Sequence, residues 1–324
     1  MPPLPTPEFW AHRGLVSSLL QQLAWAYSAA GVARRQWTRG ATAPLPVICV
    51  GNLVAGGAGK TPVVLSLARR LAAEGHVIHI ASRGYGGRLA GPVAVDPLRH
   101  RAGDVGDEAL LLAEAAPTWV ARDRAAAAER AAAAGASLLL LDDGLQNPGL
   151  AKDLSLVVVD GQFGFGNGRV LPAGPLREPV GIGLARADAV VLIGEDGAGM
   201  GRLLAGKPLF RARLIVENAD AFRGRAVVAF AGIGRPAKFF ATLEGAGARL
   251  VARHGFADHH PYREDELRRL REEAVSAGVT LVTTTKDWVR LSPEWRARVE
   301  VLRVYLSWED AAPLDRLLTR VVKR

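Results

Sequence analysis

Short apolar runs alternate along this chain with segments whose apolar positions recur at helical spacing. The run Leu45-Pro46-Val47-Ile48-Cys49-Val50 reads as a buried strand, and Val63 to Ala73 reads as the helix that follows it. Val77–Ala81, Trp119–Ala121, Leu138–Leu141, Leu156–Asp160 and Ala189–Ile193 have the same strand character. Between them lie the helical segments Asp107–Ala116 and Arg124–Ala134, the second rich in alanine, the strongest helix former. This alternation predicts an α/β fold, a mostly parallel sheet with helices on both faces. The glycine-rich stretch Gly194 to Gly206 marks a boundary. Beyond it, strand patterns at Leu209–Val216, Ala226–Ala231, Arg249–Arg253, Val279–Thr283 and Val301–Leu306 and helical ones at Ala237–Glu244 and Glu264–Ala277 predict a second, smaller α/β unit. The expected organisation is an N-terminal helical segment over 1–40, a core domain over 41–205 and a smaller C-terminal α/β domain over 206–324.

The N-terminal segment has a different texture. From Gly14 to Ala33 there are 20 consecutive uncharged residues, flanked by Arg13 and by Arg34, Arg35 and Arg39, with Trp10, Trp25, Tyr27 and Trp37 spread along the region. Its length would span a bilayer, but Ser17, Ser18, Gln21, Gln22 and Ser28 make it a poor span. An interfacial helix with aromatic and arginine anchors is the favoured reading; a helix packed on the core and a true span are the alternatives. No cleavage-site pattern marks a signal peptide.

Composition adds limits. The 324 residues are 49% apolar and 23% charged, which suits a sizeable core. The single cysteine, Cys49, cannot form an internal disulfide, in keeping with a reducing compartment. A net charge of +9 favours anionic partners. Nucleic acid is disfavoured among them, because arginines are scattered, aromatics are 6% of residues and no nucleic-acid-binding motif is present. No feature specifies an oligomeric state.

Chemistry concentrates at Gly51-Asn52-Leu53-Val54-Ala55-Gly56-Gly57-Ala58-Gly59-Lys60-Thr61-Pro62. A strand, a glycine loop, Lys-Thr and a helix form a P-loop NTPase-like cradle. Backbone N–H groups wrap phosphate oxygens, Lys60 reaches the β/γ-phosphates and the Thr61 hydroxyl serves Mg²⁺. The strict pattern places glycine where Val54 stands; the Gly-Gly-x-Gly-Lys-Thr variety of loop lacks it too. ATP and Mg²⁺ are the expected cofactors, with Asn52, Ala55, Gly56, Gly57, Ala58, Gly59, Lys60, Thr61 and Pro62 at the nucleotide. The apolar strand ending in Asp142-Asp143 supplies a carboxylate for the cation, with Asp142 the choice. Gly106-Asp107-Glu108 opens a helix: its acids are either N-terminal dipole partners or, respectively, a proton acceptor and a group near the metal.

Ser82-Arg83-Gly84-Tyr85-Gly86-Gly87 follows a strand and is either a crevice loop gripping a phosphate and a sugar or an ordinary turn. The Pro/Gly-rich Leu171 to Pro179 is a shaped loop offering Arg177 as an anion contact, or a structural crossing. Asp258-His259-His260 suggests zinc, a histidine tuning a carboxylate, or surface histidines. Thr283-Thr284-Thr285-Lys286-Asp287 lacks the spacer of a guanine-reading motif, which disfavours GTP.

Taken in order, these segments resemble the tetraacyldisaccharide 4′-kinase family. The likeness rests on Gly51-Asn52 through Pro62, Arg83-Gly84-Tyr85-Gly86, Gly106-Asp107-Glu108, Asp142-Asp143-Gly144-Leu145-Gln146, Leu171 to Pro179, Asp258-His259-His260 and Lys286-Asp287. The family usually has Phe and His where this chain has Leu145 and Asn147. The resemblance implies transfer of the ATP γ-phosphate to the 4′-hydroxyl of an acylated glucosamine disaccharide 1-phosphate, forming lipid IVA. It implies Asp107 as base, paired with His259 in preference to His260, and Lys60 as a third catalytic group. Arg83, Tyr85, Arg124, Arg177 and Glu178 become candidates at the lipid substrate; Thr61, Asp142 and Glu108 become candidates at the metal. It also implies work at the cytoplasmic face of the inner membrane, peripheral or monotopic, since a four-chain lipid stays in the bilayer. A nucleotide-switch ATPase serving a protein partner is the alternative, and a nucleic-acid-associated ATPase is weaker still.

Overall fold

Successive residues of a strand face opposite sides of its sheet, and the central strands here are apolar on both. In β1 (Val47–Gly51) and β5 (Leu138–Asp142), Val47, Cys49, Leu139 and Leu141 enter one core, while Ile48, Val50, Leu138 and Leu140 enter the other. Ala127, Ala128 and Ala131 of the helix Arg124–Ala133 cover the first face. Val63, Val64, Leu67, Ala68 and Leu71 of the helix Lys60–Ala73 cover the second. The computed structural model describes residues 7–204 and 206–322; the parts of the expected segments at residues 1–6, 205 and 323–324 lie outside the described residues.

The remaining strands of this layer are β2 (Ile78–Ser82), β3 (Val93–Ala94), β4 (Thr118–Val120), β6 (Leu154–Asp160), β7 (Ala189–Ile193), β8 (Leu209–Val216) and, far along the chain, β13 (Val304–Trp308). Their order is β13-β8-β7-β6-β1-β5-β2-β4-β3, parallel except for β3 on β4 and β13 on β8 at the two edges. A second, wholly parallel sheet contains β9 (Ala226–Ala231), β10 (Arg249–Gly255), β11 (Thr280–Thr284) and β12 (Glu300–Leu302) in the order β10-β9-β11-β12. Phe239, Phe240 and Leu243 pack on one of its faces, and Leu267, Leu270 and Trp295 on the other.

The division of 206–324 differs from expectation. β8 joins the large sheet beside β7, and Leu314, Leu318 and Val321 of the C-terminal helix Ala312–Val322 pack into the large sheet's core. The expected single strand Val301–Leu306 is two strands, β12 in the small sheet and β13 in the large one, separated by Arg303. Arg303 is where the chain crosses between the sheets: its N–H donates to Asn218 Oδ1 at 3.0 Å and its carbonyl accepts from Glu217 N at 2.9 Å.

The N-terminal stretch forms helices Leu15–Leu19 and Gln21–Trp37, with only Ser17 and Ala24 buried. Among the described residues, no helix is long and apolar enough to cross a membrane. Asn167 ties this segment down, its Nδ2 donating to Phe9 O at 3.0 Å and to Ser17 Oγ at 3.1 Å.

Candidate active site

β1 lies between β5 and β6, with Val50 opposite Asp142 and Gly51 opposite Val157, so the C-terminal ends of three strands meet at the phosphate loop. The loop turns on glycines at Gly56 (φ 109°) and Gly59 (φ 86°), conformations that side-chain-bearing residues rarely adopt. Buried Asn52 braces it: Nδ2 donates to Val54 O at 2.9 Å, and Oδ1 accepts from Lys60 Nζ at 3.3 Å. The Leu171–Pro179 loop runs alongside, Ala55 N donating to Pro175 O at 2.7 Å and Arg177 N to Leu53 O at 2.8 Å. Ala58 is buried, while Thr61 and Pro62 in the first helical turn are half-buried. Cys49 beneath the loop is enclosed, and burial pushes its thiol up to about 12, an inert group.

Two carboxylates end β5 in different states. Asp143 adopts φ 55°, accepts twice from Arg177 Nη1 at 2.8 Å and lies 3.7 Å from Lys60 Nζ. Burial raises its pKa, but Lys60 and Arg177 outweigh that and hold it below the usual carboxylate range. Asp142 is 1% exposed, and neither of its oxygens has a hydrogen-bond partner. Burial, and after it the Glu108 carboxylate, push its pKa up. An orphaned buried carboxylate facing a phosphate loop fits a magnesium ion, which needs only one or two protein carboxylates when phosphates complete its shell.

Asp107 begins the helix Asp107–Ala113 and is 3% exposed. Its Oδ2 lies 2.9 Å from His259 Nδ1 and accepts from Arg290 Nε at 2.6 Å; its Oδ1 accepts from Glu108 N at 2.8 Å. Burial raises the Asp107 pKa, but the His259 hydrogen bond and the Lys286 and Arg290 charges overcome it and hold the group well below the ordinary range. Lys286 Nζ is 3.3 Å from His259 Nε2 and donates to Glu108 Oε1 at 3.2 Å. The small-sheet unit thus closes directly on the large one. Of the adjacent histidines, His259 (φ 58°) turns to Asp107, whereas His260 pairs with Glu266 at 3.0 Å and stacks on Phe256.

The substrate candidates divide. Arg83 and Tyr85 are exposed, and the Tyr85 ring lies 5.1 Å from that of His259. Arg177 is partly exposed at Asp143. Arg124 and Glu178 are enclosed. Arg124 donates to Ala121 O, and Glu178, 1% exposed, lies between Arg186, Arg35 at 3.5 Å and Gln146 at 3.1 Å. Both therefore lie beneath the surface, out of direct reach of a substrate. Leu145 and Asn147, where the chain departs from the family pattern, have local roles: Leu145 packs under Gly51, and Asn147 Oδ1 accepts from Gly149 N at 2.7 Å.

Sequence reasoning missed Arg290, the role of Lys286, and a second bridge. Arg235 Nη2 donates to Gly57 O at 3.0 Å and to Asp160 Oδ2 at 2.6 Å, where Lys238 joins it at 2.8 Å. The available signal for Arg290 was a charge inside the apolar stretch Trp288-Val289-Arg290-Leu291, one helical turn after Lys286.

A family model described as "LpxK: Tetraacyldisaccharide-1-P 4′-kinase" matches residues 16–323. The tetraacyldisaccharide 4′-kinase of Rhodospirillum centenum is 58% identical over 320 residues, covering 96% of this chain and 95% of that relative. That of Rhodospirillum rubrum is 52% identical over 323 residues, covering 98% and 97%. Among solved structures, LpxK from Aquifex aeolicus in complex with ATP superposes with a TM-score of 0.78 at 27% identity, covering 95% of this chain and 100% of that one.

Proposed function

We propose that this chain, which belongs to the tetraacyldisaccharide 4′-kinase family, transfers the γ-phosphoryl group of ATP to the 4′-hydroxyl of a tetraacyldisaccharide 1-phosphate. The observation that carries the reading is the meeting of Asp107 and His259, 2.9 Å apart, where the small-sheet unit closes beside the phosphate loop. A nucleotide switch would need the loop alone; a hydroxyl acceptor calls for a base of this kind beside it.

In this reading the loop amides and Lys60 bind the triphosphate, and Asp142, Thr61 and Glu108 would hold a magnesium ion, whose positive charge would offset that of the phosphates. Asp107 accepts the proton of the 4′-hydroxyl as that oxygen bonds to the γ-phosphorus and the bond to the β-phosphate oxygen breaks, releasing ADP. The low basicity of Asp107 suits a loose transition state, in which proton removal is late and alignment matters more. His259 orients the carboxylate. Lys286, paired with Glu108, supplies positive charge at the transferring group. Arg83, Tyr85 and Arg177 face the acceptor and its 1-phosphate, with Arg124 and Glu178 supporting from below.

The lipid requires a surface to work on. Leu15, Leu19 and Leu23 are 87%, 80% and 59% exposed, and Trp25 and Trp37 are 66% and 85% exposed, on two helices that bury almost nothing in the protein. These exposed apolar and aromatic side chains, with Arg34 and Arg39 at the end of the segment, support peripheral docking on the cytoplasmic face of the inner membrane. The test is to incubate the protein with labelled ATP, Mg²⁺ and detergent-dispersed disaccharide 1-phosphate. Label appears on the lipid; label released only as free phosphate favours the switch ATPase instead.

A further inference from the structure

Arg290 belongs to no motif quoted from the sequence, yet it is the most enclosed cation at the junction of the two units. Its side chain is 6% exposed between two carboxylates that are themselves 3% (Asp107) and 0% (Asp287) exposed. Arg290 Nε donates to Asp107 Oδ2 at 2.6 Å, Nη2 forms an ion pair with the same oxygen, and Nη1 donates to Asp287 Oδ1 at 2.9 Å and to Gly232 O at 2.8 Å.

Asp287 does not depend on this arginine. Its Oδ1 also accepts from Gly232 N at 2.9 Å and from the Tyr262 hydroxyl at 2.8 Å, and its Oδ2 from Thr284 Oγ1 at 2.6 Å. The guanidinium is thus fastened to a finished network at the ends of β9 and β11 and reaches out of it toward Asp107. There it shares Oδ2 with His259, while Oδ1 receives only the Glu108 N–H. A carboxylate gripped through one oxygen by two donors from different directions, with a backbone N–H on the other, cannot swing. Without Arg290, only His259 on Oδ2 and the Glu108 N–H on Oδ1 would restrain it.

We propose that Arg290 is a positioning residue for phosphoryl transfer, fixing the Asp107 carboxylate in its working orientation when the small-sheet unit is docked. The inference rests on Asp107 being the proton acceptor. A planar fork is what the geometry uses, because one group must reach Asp107, Asp287 and the Gly232 carbonyl together; a lysine ammonium keeps the charge and loses the span.

Arg290→Gln and Arg290→Lys are assayed for label transfer from ATP to detergent-dispersed disaccharide 1-phosphate, with KM for both substrates and a thermal melt. A carboxylate released from its orientation costs kcat about 100-fold in Arg290→Gln, and the conservative Arg290→Lys recovers it to about 10-fold below the parent. KM for ATP and for the lipid stay within about twofold, since neither is bound by this group. A kcat for Arg290→Gln within about threefold of the parent, or a loss expressed only in KM, overturns the proposal. Should Arg290→Gln fail to fold, Arg290→Lys decides by the same kcat-against-KM criterion. Asp107→Asn is measured beside them. Parental turnover in Asp107→Asn removes the acceptor assignment and this inference with it. An inactive Asp107→Asn beside fully active Arg290 variants overturns the positioning role alone.

Discussion

Asp107 and Asp142 are buried to nearly the same degree, 3% and 1% exposed, and their surroundings could hardly differ more. Asp107 is saturated, by His259, Arg290 and a backbone N–H, and its pKa is depressed despite burial. Asp142 has no partner on either oxygen, and its pKa is raised by burial and then by Glu108. Burial alone therefore says nothing about what a carboxylate does. A satisfied one is fixed in place, whereas an orphaned one is left to take up a proton or a cation. The two also belong to different levels of assembly. Asp142 is complete within the large sheet, at the end of β5; Asp107 becomes what it is only when residues 259 and 290 arrive from the small-sheet unit.

The comparison breaks most sharply in Asp107→Asn. Turnover falls by roughly 10²–10⁴-fold, the usual contribution of a positioned proton acceptor, while nucleotide binding persists. The same change leaves Arg290 facing a neutral amide and destabilises the fold by roughly 3 kcal/mol, at the low end for a broken buried pair because Asp287 remains. Isothermal titration with ATP and a denaturant melt separate the two effects. Loss of ATP binding would place Asp107 in the nucleotide site instead.

Asp142→Asn gives the next largest effect, and its stability change has the opposite sign. Turnover falls and the Mg²⁺ concentration for half-maximal rate rises, by about tenfold or more, because the amide is a poor magnesium ligand. The cation-free variant, however, melts higher than the parent near neutral pH, by about 1 kcal/mol, since a carboxylate that must be either protonated or left charged without a partner has been removed. A lower melting temperature without Mg²⁺ would mean that Asp142 has a structural partner after all.

A smaller effect follows from the raised pKa of Asp142. In the cation-free protein the native state binds a proton there more tightly than the unfolded chain does. This group's contribution therefore makes stability decline as pH rises from the ordinary carboxylate range through the raised folded pKa. Mg²⁺ with nucleotide, by competing with that proton, flattens the decline, and Asp142→Asn removes it. Denaturant midpoints measured across this range with and without Mg²⁺-ATP check both statements; a slope unchanged in Asp142→Asn assigns it elsewhere.

What the sequence disclosed tracks the same division. The phosphate loop and the Asp142-Asp143 strand end are contiguous runs whose conformation is set by their own glycines and by neighbouring strands, so residues 51–62 and 142–143 were readable in one dimension. The Asp107 site joins positions 107, 259, 286 and 290, and nothing local encodes that Lys286 should meet Glu108 or that Arg235 should reach Gly57. The choice between His259 and His260 turned on one backbone angle, the positive φ that aims His259 at Asp107 and leaves His260 for Glu266. The strand expected over Val301–Leu306 hid a change of sheet because Arg303 is neither glycine nor proline; only its pairing with Glu217 and Asn218 marks the crossing.

The last effect is on binding and leaves the chemistry untouched; it concerns the exposed apolar side chains of the N-terminal helices. Leu19, Leu23 and Trp37 are 80%, 59% and 85% exposed and lie on helices that contribute little to either core. Replacing all three with serine removes apolar area that has no packing to lose, so the melting temperature should hold. If that area enters a bilayer, each residue contributes roughly 1 kcal/mol of binding, allowing for partial insertion, or about fivefold in partition. Flotation with anionic vesicles then falls by about two orders of magnitude for the triple variant, while ATP affinity is unchanged. Arg35 of the same helical segment pairs with buried Glu178, which shares Gln146 with the Asn52 carbonyl, so polar contacts run from this segment to the phosphate loop. Unchanged flotation would sever that line of argument at its first link, leaving the helices as a lid on Glu178 with no membrane role.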